Sequence, residues 1–347
     1  MSGVGGEGFC RADYLFKREK LVVFSSRVRV HVLGLTAAVL LSACGGGGGS
    51  TETPALSNAL VLNTSNQEQV ARSAMGAVGM GLLALDLSGS NGSSRAFAAL
   101  DSTPRRHLLA AGGAKPLAIT RTETPCPLGG KIAVELNDAN NNQDLDAGDS
   151  LRLDLQACRS LEGTMSGRMD LRVKEFSKAS NGASSGLMEI QFTELMVTEA
   201  NGDQSGGNGI MSIRVSETAL GVVSVRLEAP RFTRTERVAG VTNTDTVENL
   251  VVDLVEEPRP VARTTARFSG RISASQWGGR SVELSTEPAF VTLGSDSYPS
   301  SGTLNLVGAN SRMRLVALNA TQVRLDLDAN GDGSFESSVT KRWDDWL

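Results

Sequence analysis

The sequence predicts a mainly β protein with a large antiparallel sheet, closed as a barrel or folded as a sandwich, and a short N-terminal helical segment. From Lys131 onward apolar and polar side chains alternate with a period of two, which is typical of half-buried antiparallel strands. Clusters of Asn, Asp and Gly interrupt this alternation at short intervals, as hairpin turns require. About a dozen strands of ordinary length are expected, enough to close a sheet or fold it on itself.

The helical segment is predicted from a start signal and the small residues that follow it. Ser65 and Glu68 have the spacing of a capping box, and Ala, Met, Leu, Val and Gly predominate from there to residue 87. A second short helical piece is predicted at 104–111, ahead of a pair of glycines. Because glycines weaken an isolated helix, we expect the first segment to depend on packing against the β region.

The strands are predicted where the alternation is clearest. These segments are residues 132–136, 151–155, 165–173, 188–192, 213–215, 223–227, 250–254, 268–272, 282–284, 304–306, 313–315 and 323–327. Turn clusters between them lie at 181–182, 201–203, 205–209, 278–279 and 330–333. The spacing of strands and turns indicates hairpins formed by consecutive strands.

A secretory signal precedes these elements and ends in Leu-Ser-Ala-Cys at Cys44. Arg27 and Arg29 stand before the apolar stretch 32–41, which is too short for a stable membrane span. The ending resembles the lipobox of bacterial lipoproteins at all four positions. That resemblance implies cleavage before Cys44, lipidation of its sulfur and, because Gly45 follows in place of Asp, transport to the outer membrane. The alternative is an ordinary signal peptide that happens to end in cysteine.

The overall pattern resembles the β-rich lipoproteins of Gram-negative bacteria. We therefore expect a protein that the membrane holds through a lipid anchor, facing the periplasm or the cell surface. Residues 1–26 lie unusually far before the apolar stretch for a signal, and we interpret them as an extension from an early start codon; the alternative is an unusually long n-region. The predicted parts are the signal with its extension (1–43), a lipidated Gly/Ser-rich tether (44–63), the helical segment packing on the β domain (64–115) and the antiparallel β domain (116–347).

Composition excludes several classes of function. The chain has 34 Lys and Arg against 38 Asp and Glu with no basic block, so we expect no nucleic-acid partner. His107 is the single histidine after Cys44, and the sequence contains no nucleophile-elbow, zinc-protease or phosphate-loop motif. We predict a non-catalytic binding or scaffolding domain, stabilised by calcium or carrying an apolar ligand.

The alternative function is a carboxylate-dependent hydrolase acting on cell-envelope glycans, because acids on neighbouring strands can face each other. Such a site would use an aromatic side chain for sugar stacking, and Trp277 is a candidate. The C-terminal Trp343 and Trp346 fit either a binding surface or a hydrophobic plug, and we favour the plug.

The cysteines predict one disulfide. With Cys44 assigned to lipid and Cys10 to the N-terminal extension, Cys126 and Cys158 are the remaining pair. An even number of cysteines in an exported protein favours a structural bridge. A redox-active pair is disfavoured because the CxxC spacing is missing.

Two acidic loops predict calcium. In the first, side chains with oxygen atoms fall at almost every second position, which allows a tight loop to converge them on one hard cation. They are Asp138, Asn140, Asn142, Asp144, Asp146 and Asp149. The segment resembles an EF-hand loop in part, but Gln143 stands where that loop has its turn glycine and Asp149 where it has a longer Glu.

The second loop offers Asp328, Asn330, Asp332 and Glu336, and it keeps the turn glycine. Its twelfth position is Val339, so Glu336 or a distant carboxylate must complete the ligand shell. A weaker version of the same pattern occurs at 199–203. Because Asn, Asp and Gly are also what a hairpin turn needs, a purely structural role for these loops stays open.

Overall fold

The computed structural model describes residues 58–88, 119–142, 146–161, 163–258, 261–294 and 296–346. The predicted signal, the lipidation site Cys44, most of the tether, the helical piece at 104–111, His107 and Asp144 lie outside these residues. All described residues belong to a single compact unit, Glu52–Trp346.

The described residues form a helix, fifteen strands and a short C-terminal helix. Helix α1 spans Gln67–Ser88, and α2 spans Trp343–Trp346. The strands are β1 (Ile119–Pro125), β2 (Lys131–Asn137), β3 (Ser150–Arg159), β4 (Gly163–Lys178), β5 (Ser184–Glu199), β6 (Gln204–Glu217), β7 (Val223–Val238), β8 (Val241–Glu257), β9 (Arg263–Ala274), β10 (Ser281–Thr286), β11 (Phe290–Leu293), β12 (Thr303–Gly308), β13 (Ser311–Asn319), β14 (Gln322–Asp328) and β15 (Ser337–Arg342). A 3₁₀ turn, Ser275–Trp277, follows β9.

The fifteen strands form one antiparallel sheet, which confirms the mainly β, antiparallel prediction. The order in the sheet follows the sequence, except that β10 lies beside β12 while β11 pairs with the first half of β9. Within the described residues no pairing joins β1 to β15, so the sheet has two open edges and the predicted closure as a barrel is not confirmed.

The antiparallel order places the turns at two ends of the sheet. One end carries the turns that follow β1, β3, β5, β7, β9, β12 and β14, and we call it the entry end. The opposite end carries the turns that follow β2, β4, β6, β8 and β13, and we call it the far end. The chain reaches the sheet at the entry end, where the Asn58 Nδ2 group donates to the Gly279 carbonyl oxygen at 3.1 Å.

The core lies on the inner face of the sheet, where the alternating apolar residues meet. The fully buried inner residues of β12, β13 and β14 are Leu304, Leu306, Met313, Leu315, Val323 and Leu325. Residues 58–62 cross the entry end and add to this core. The Leu60 N–H donates to the Ser281 oxygen, the Ala309 N–H donates to the Leu60 oxygen, and Leu62 is fully buried.

Helix α1 packs against the sheet through small side chains. Val70, Ala71 and Ala74 are fully buried, since alanine lets a helix approach its neighbours closely. The helix starts differently from the prediction. The Asn63 Oδ1 atom accepts the N–H groups of Ser65 and Asn66, in place of a capping box. Glu68 instead forms an ion pair with Lys341 of β15 at 2.6 Å.

The predicted disulfide between Cys126 and Cys158 is present, with the Cα atoms 5.4 Å apart. Cys126 follows β1 directly, while Cys158 lies inside β3, so the bridge joins the β1–β2 turn to the end of β3. Both sulfur-bearing residues are buried. The Arg159 N–H donates to the Gly129 oxygen at 2.8 Å and reinforces the same junction.

One predicted turn is wrong, because residues 205–209 lie inside β6. Strand β6 continues through them, pairing with both β5 and β7. Their glycines make room for neighbouring side chains: a Cβ on Gly207 would lie 2.6 Å from the ring of Phe232. Glycine in a strand often marks such a close approach.

Trp343, near the C-terminus, fills a buried position in the core, which agrees with the predicted hydrophobic plug. It is fully buried, its Nε1 group donates to the Asn319 oxygen at 3.2 Å, and its ring stacks on Tyr298 with centroids 5.6 Å apart. Trp277 is also buried, in the 3₁₀ turn after β9. The Trp346 side chain lies outside the described part of the structure.

Candidate metal centre

The β14–β15 loop (residues 329–336) folds around the carboxylate of Asp328, the last residue of β14. Asp328 is fully buried. Its Oδ1 atom accepts the Gly331 N–H at 2.6 Å, and its Oδ2 atom accepts the Gly333 N–H at 2.9 Å. Both glycines adopt positive φ, and a Cβ on Gly331 would lie 2.8 Å from the Asn310 oxygen. The glycines therefore let the loop wrap tightly around this carboxylate.

Three of the predicted ligands in this loop come together. Asp328, Asp332 and Glu336 each offer a carboxylate oxygen, and the three oxygens lie within 4.8 Å of one another. Glu336 thus occupies the place that Val339 could not fill, since Val339 lies in β15 opposite Leu325. Three carboxylates at this distance repel one another unless a cation or protons neutralise them.

Hydrogen bonds keep Asp332 ionised. The Ser334 N–H donates to Asp332 Oδ1 at 2.7 Å and the Asn330 amide donates to Oδ2 at 3.0 Å. These donors lower the pKa of Asp332, because they stabilise the charged form. Asn330 therefore supports a ligand through its amide nitrogen in this arrangement, and its Oδ1 atom accepts the Asp332 N–H at 2.9 Å.

Contacts with the outer face of the sheet hold this loop in place. The Arg314 guanidinium lies over the Phe335 ring, 3.9 Å from its centroid, and pairs with Asp326 at 3.0 Å. Asp326 is almost fully buried. Burial alone would raise its pKa, but hydrogen bonds from Ser338 and Arg324 outweigh that effect and lower it. No sequence pattern marks Phe335 and Arg314, which position the loop.

The β2–β3 loop (residues 138–149) is arranged around Asp149, which is 2% exposed. The Asp149 carboxylate accepts the N–H groups of Ala139 and Asp146, each at 2.9 Å. Burial raises the pKa of Asp149, and the nearby charges of Asp146 and Asp138 act in the same direction. Positive charge near Asp149 would offset this effect of burial.

Asp146 presents an unpartnered oxygen in the same loop. Its Oδ2 atom accepts the amide groups of Asn140 and Asn142 at 2.6 and 2.7 Å. Its Oδ1 atom is buried without a hydrogen-bond partner. Buried polar atoms are nearly always partnered, so this oxygen is a candidate ligand atom for a cation. Asp138 Oδ1 accepts the Asn142 N–H at 3.2 Å. Asp144 lies in residues 143–145, which the structure does not describe.

The third acidic loop, residues 199–203 at the β5–β6 turn, uses Asp203 to join two turns. Asp203 Oδ1 accepts the Ala239 N–H at 3.0 Å, linking the β5–β6 turn to the β7–β8 turn. Its Oδ2 atom accepts the Asn201 amide at 2.9 Å. These bonds account for both oxygens and indicate the structural use of Asp and Asn that hairpin turns favour.

Acidic side chains on the outer face of the described strands form ion pairs with arginines of adjacent strands, among them Arg226 with Asp253 at 2.9 Å and Arg271 with Glu283 at 3.2 Å. Trp277, the candidate for sugar stacking, is 6% exposed.

Comparisons with protein-family models, with curated proteins and with solved structures find no match to this chain. No helix in the described part of the chain is both long and apolar enough to cross a membrane.

Proposed function

We propose that this chain is an outer-membrane lipoprotein, anchored through Cys44, whose β domain is a non-catalytic binding or scaffolding module stabilised by calcium. The proposal that calcium binds rests on one observation: carboxylate oxygens of Asp328, Asp332 and Glu336 lie within 4.8 Å of one another. The lipobox at residues 41–44 carries the anchor. An outer-membrane location facing the periplasm or the cell surface belongs to the same proposal.

The residues of the β14–β15 loop fit a hard cation. Calcium takes six to eight oxygen ligands in flexible geometry, and carboxylates are its preferred side chains. Asp328, Asp332 and Glu336 would hold it, with water completing the shell. A bound cation neutralises the three carboxylates and fixes the loop that places Phe335 over Arg314.

The β2–β3 loop fits a second calcium ion. Asp146 supplies a buried oxygen without a partner, and Asp149 supplies a carboxylate whose charge burial disfavours. The amides of Asn140 and Asn142 donate to Asp146, so these side chains must turn before their oxygens can bind a cation. Calcium here would stabilise the hairpin that continues into the disulfide-linked end of β3.

The binding or scaffolding part rests on the sequence analysis, and both the scaffolding version and the apolar-ligand version belong to the proposal. A shallow groove of about 580 Å³ lies beside the disulfide, and its lining includes Glu123, Lys131 and Gln156. Folding of the open sheet over its own inner face, as in a sandwich, also belongs to this proposal.

Calcium is expected to raise the melting temperature of the protein. At a concentration 100-fold above Kd, a ligand stabilises the native state by about 2.7 kcal/mol. For a domain of this size that corresponds to roughly 5–10 °C in Tm. Calorimetry in excess calcium and in chelator measures the shift.

The double variant Asp332→Asn/Glu336→Gln removes two of the three β14–β15 ligands and is expected to lose the shift that this loop contributes. Asp203→Asn, in the third loop, is the matched control and should keep it. A shift that is lost with Asp146→Asn and retained in the double variant assigns calcium to the β2–β3 loop. Equal Tm values in chelator and in calcium contradict both sites.

Lipidation is tested by incorporation of labelled palmitate in a Gram-negative host. The wild-type chain is expected to carry label, and Cys44→Ala to carry none, because the acyl chains depend on the lipobox cysteine. Cys10→Ala controls for the other N-terminal cysteine and should label like the wild type. Label that persists in Cys44→Ala contradicts the anchor.

A further inference from the structure

The point where the chain enters the sheet determines which end an N-terminal anchor holds. Asn58 is fixed at the entry end by its bond to Gly279, and the Ser281 N–H donates to the Asn58 oxygen at 3.0 Å. Cys44 lies fourteen residues earlier. Since a fully extended chain spans at most about 3.6 Å per residue, Asn58 lies within roughly 50 Å of the anchored residue.

The length of the strands separates the two ends. Strands β4, β5 and β7 have 16 residues each. At about 3.3 Å per residue a strand of this length spans roughly 53 Å. Beside these long strands the far end therefore lies roughly 53 Å from the entry end, slightly more than the reach of a fully extended tether from Cys44 to Asn58.

Exposed apolar side chains occupy two tips of the entry end. Leu161, after β3, is 87% exposed, and Leu128, in the neighbouring β1–β2 turn, is 55% exposed. The Leu128 N–H donates to the Arg159 oxygen at 3.1 Å, which holds these two turns together. In the β7–β8 turn, Val238 and Val241 are 43% and 63% exposed.

The second of these tips is made of small and apolar residues only, in the order Val238, Ala239, Gly240 and Val241. The bond from the Ala239 N–H to Asp203 ties it to the adjacent β5–β6 turn. Because this hydrogen bond fixes the tip, the tip can enter the boundary between lipid headgroups and acyl chains without a large further loss of conformational entropy.

Apolar exposure alone does not distinguish the two ends. At the far end Leu220 is 84% exposed, and the other exposed apolar residues are Ile119 and Val261 at 59%, Leu293 at 43% and Leu318 at 40%. Single exposed apolar residues are common on protein surfaces. The distinguishing feature is the entry point of the chain, and it makes Leu220 a matched control for Leu161.

From these observations we propose that the entry end is a membrane-contacting surface, with Leu161 and the Val238–Val241 tip touching the bilayer that carries the anchor. This inference rests on the proposed lipidation of Cys44. Contact restrains the orientation of the domain, so that the far end and the outer face point away from the membrane.

The test uses full-length chains that carry Leu161→Cys or Leu220→Cys in a Cys10→Ala background, each labelled with a polarity-sensitive dye. The disulfide cysteines are buried, so the introduced thiol is the labelled site among the described residues. The proteins are reconstituted into vesicles of phosphatidylethanolamine and phosphatidylglycerol. Dye at position 161 is expected to shift to the blue and to be quenched by lipid-borne nitroxide, whereas dye at position 220 shows neither effect.

A response at both positions, at neither, or at position 220 alone overturns the proposed surface. Mass spectrometry of the N-terminal peptide reports acylation separately. An acylated chain without the response at position 161 contradicts membrane contact and leaves the anchor standing. A chain without acylation has a free Cys44 thiol that would also take dye, so the unanchored case uses Leu161→Cys in a Cys10→Ala/Cys44→Ala background. A response at position 161 there leaves the surface standing, and the acylation measurement alone decides the anchor.

Discussion

Replacing Trp343 with alanine is expected to lower the free energy of unfolding by about 3–5 kcal/mol, the cost of truncating a large buried aromatic side chain. Trp343 is fully buried, stacks on Tyr298 and donates a hydrogen bond to the Asn319 oxygen. Its removal leaves a cavity at the far end, where β13 turns into β14, and an unpaired carbonyl. Urea denaturation followed by far-ultraviolet circular dichroism measures the change.

Leu318→Ala is the control for this variant, because Leu318 is 40% exposed in the same region of β13. Exposed substitutions of this kind usually change stability by less than about 0.5 kcal/mol. Trp343→Phe keeps an aromatic ring and should lose less stability than Trp343→Ala. A loss below about 1 kcal/mol for Trp343→Ala contradicts the role of Trp343 as a core plug.

Loss of the disulfide is the second large effect. The bridge joins residues 32 positions apart, and chain-entropy arguments assign such a loop about 3.7 kcal/mol of stabilisation. The double variant Cys126→Ala/Cys158→Ala is therefore expected to unfold at a clearly lower urea concentration than the wild type. The change should appear in the midpoint, with the same spectrum of the native state.

Treating the wild-type protein with reductant provides an independent check, since it opens the same bridge without changing the sequence. The reduced wild type and the untreated double variant should have similar midpoints of urea unfolding. If reductant and the double variant both leave the midpoint unchanged, the bridge does not stabilise the domain.

The inner faces of the central strands could be predicted because burial on one face imposes alternation on the sequence. The segment 304–306 became part of β12, and 313–315 part of β13. Strands β1 and β15 were missed for the same reason. They lie at the edges, and β15 has a single apolar residue, Val339, among polar ones, so no alternation marks it.

The sequence pattern also did not predict the full lengths of the central strands. Gly206 and Gly207 resemble a turn when read alone, and only the neighbouring Phe232 ring explains glycine at those positions of a strand. Phe232 lies 25 residues beyond Gly207 in the chain. Local composition carries no information about such a partner.

The candidate metal centre was also only partly predictable from the sequence. The spacing of Asp328, Asp332 and Glu336 predicts that one loop can converge them, because all three belong to nine consecutive residues. The contact between Phe335 and Arg314 joins the β14–β15 loop to β13 and has no local signal. The unpartnered oxygen of Asp146 likewise depends on where Asn140 and Asn142 direct their amides.

The order of strands in the sheet has a consequence for how the chain folds. Because nearly every strand pairs with its neighbours in sequence, each hairpin can form as soon as its two strands are available and then serve as the template for the next strand. The growing sheet presents an unpaired edge at every stage, and such edges recruit other chains. Lys341 and Arg342 stand at the end of the last strand, where charged side chains discourage further strand addition once β15 has docked.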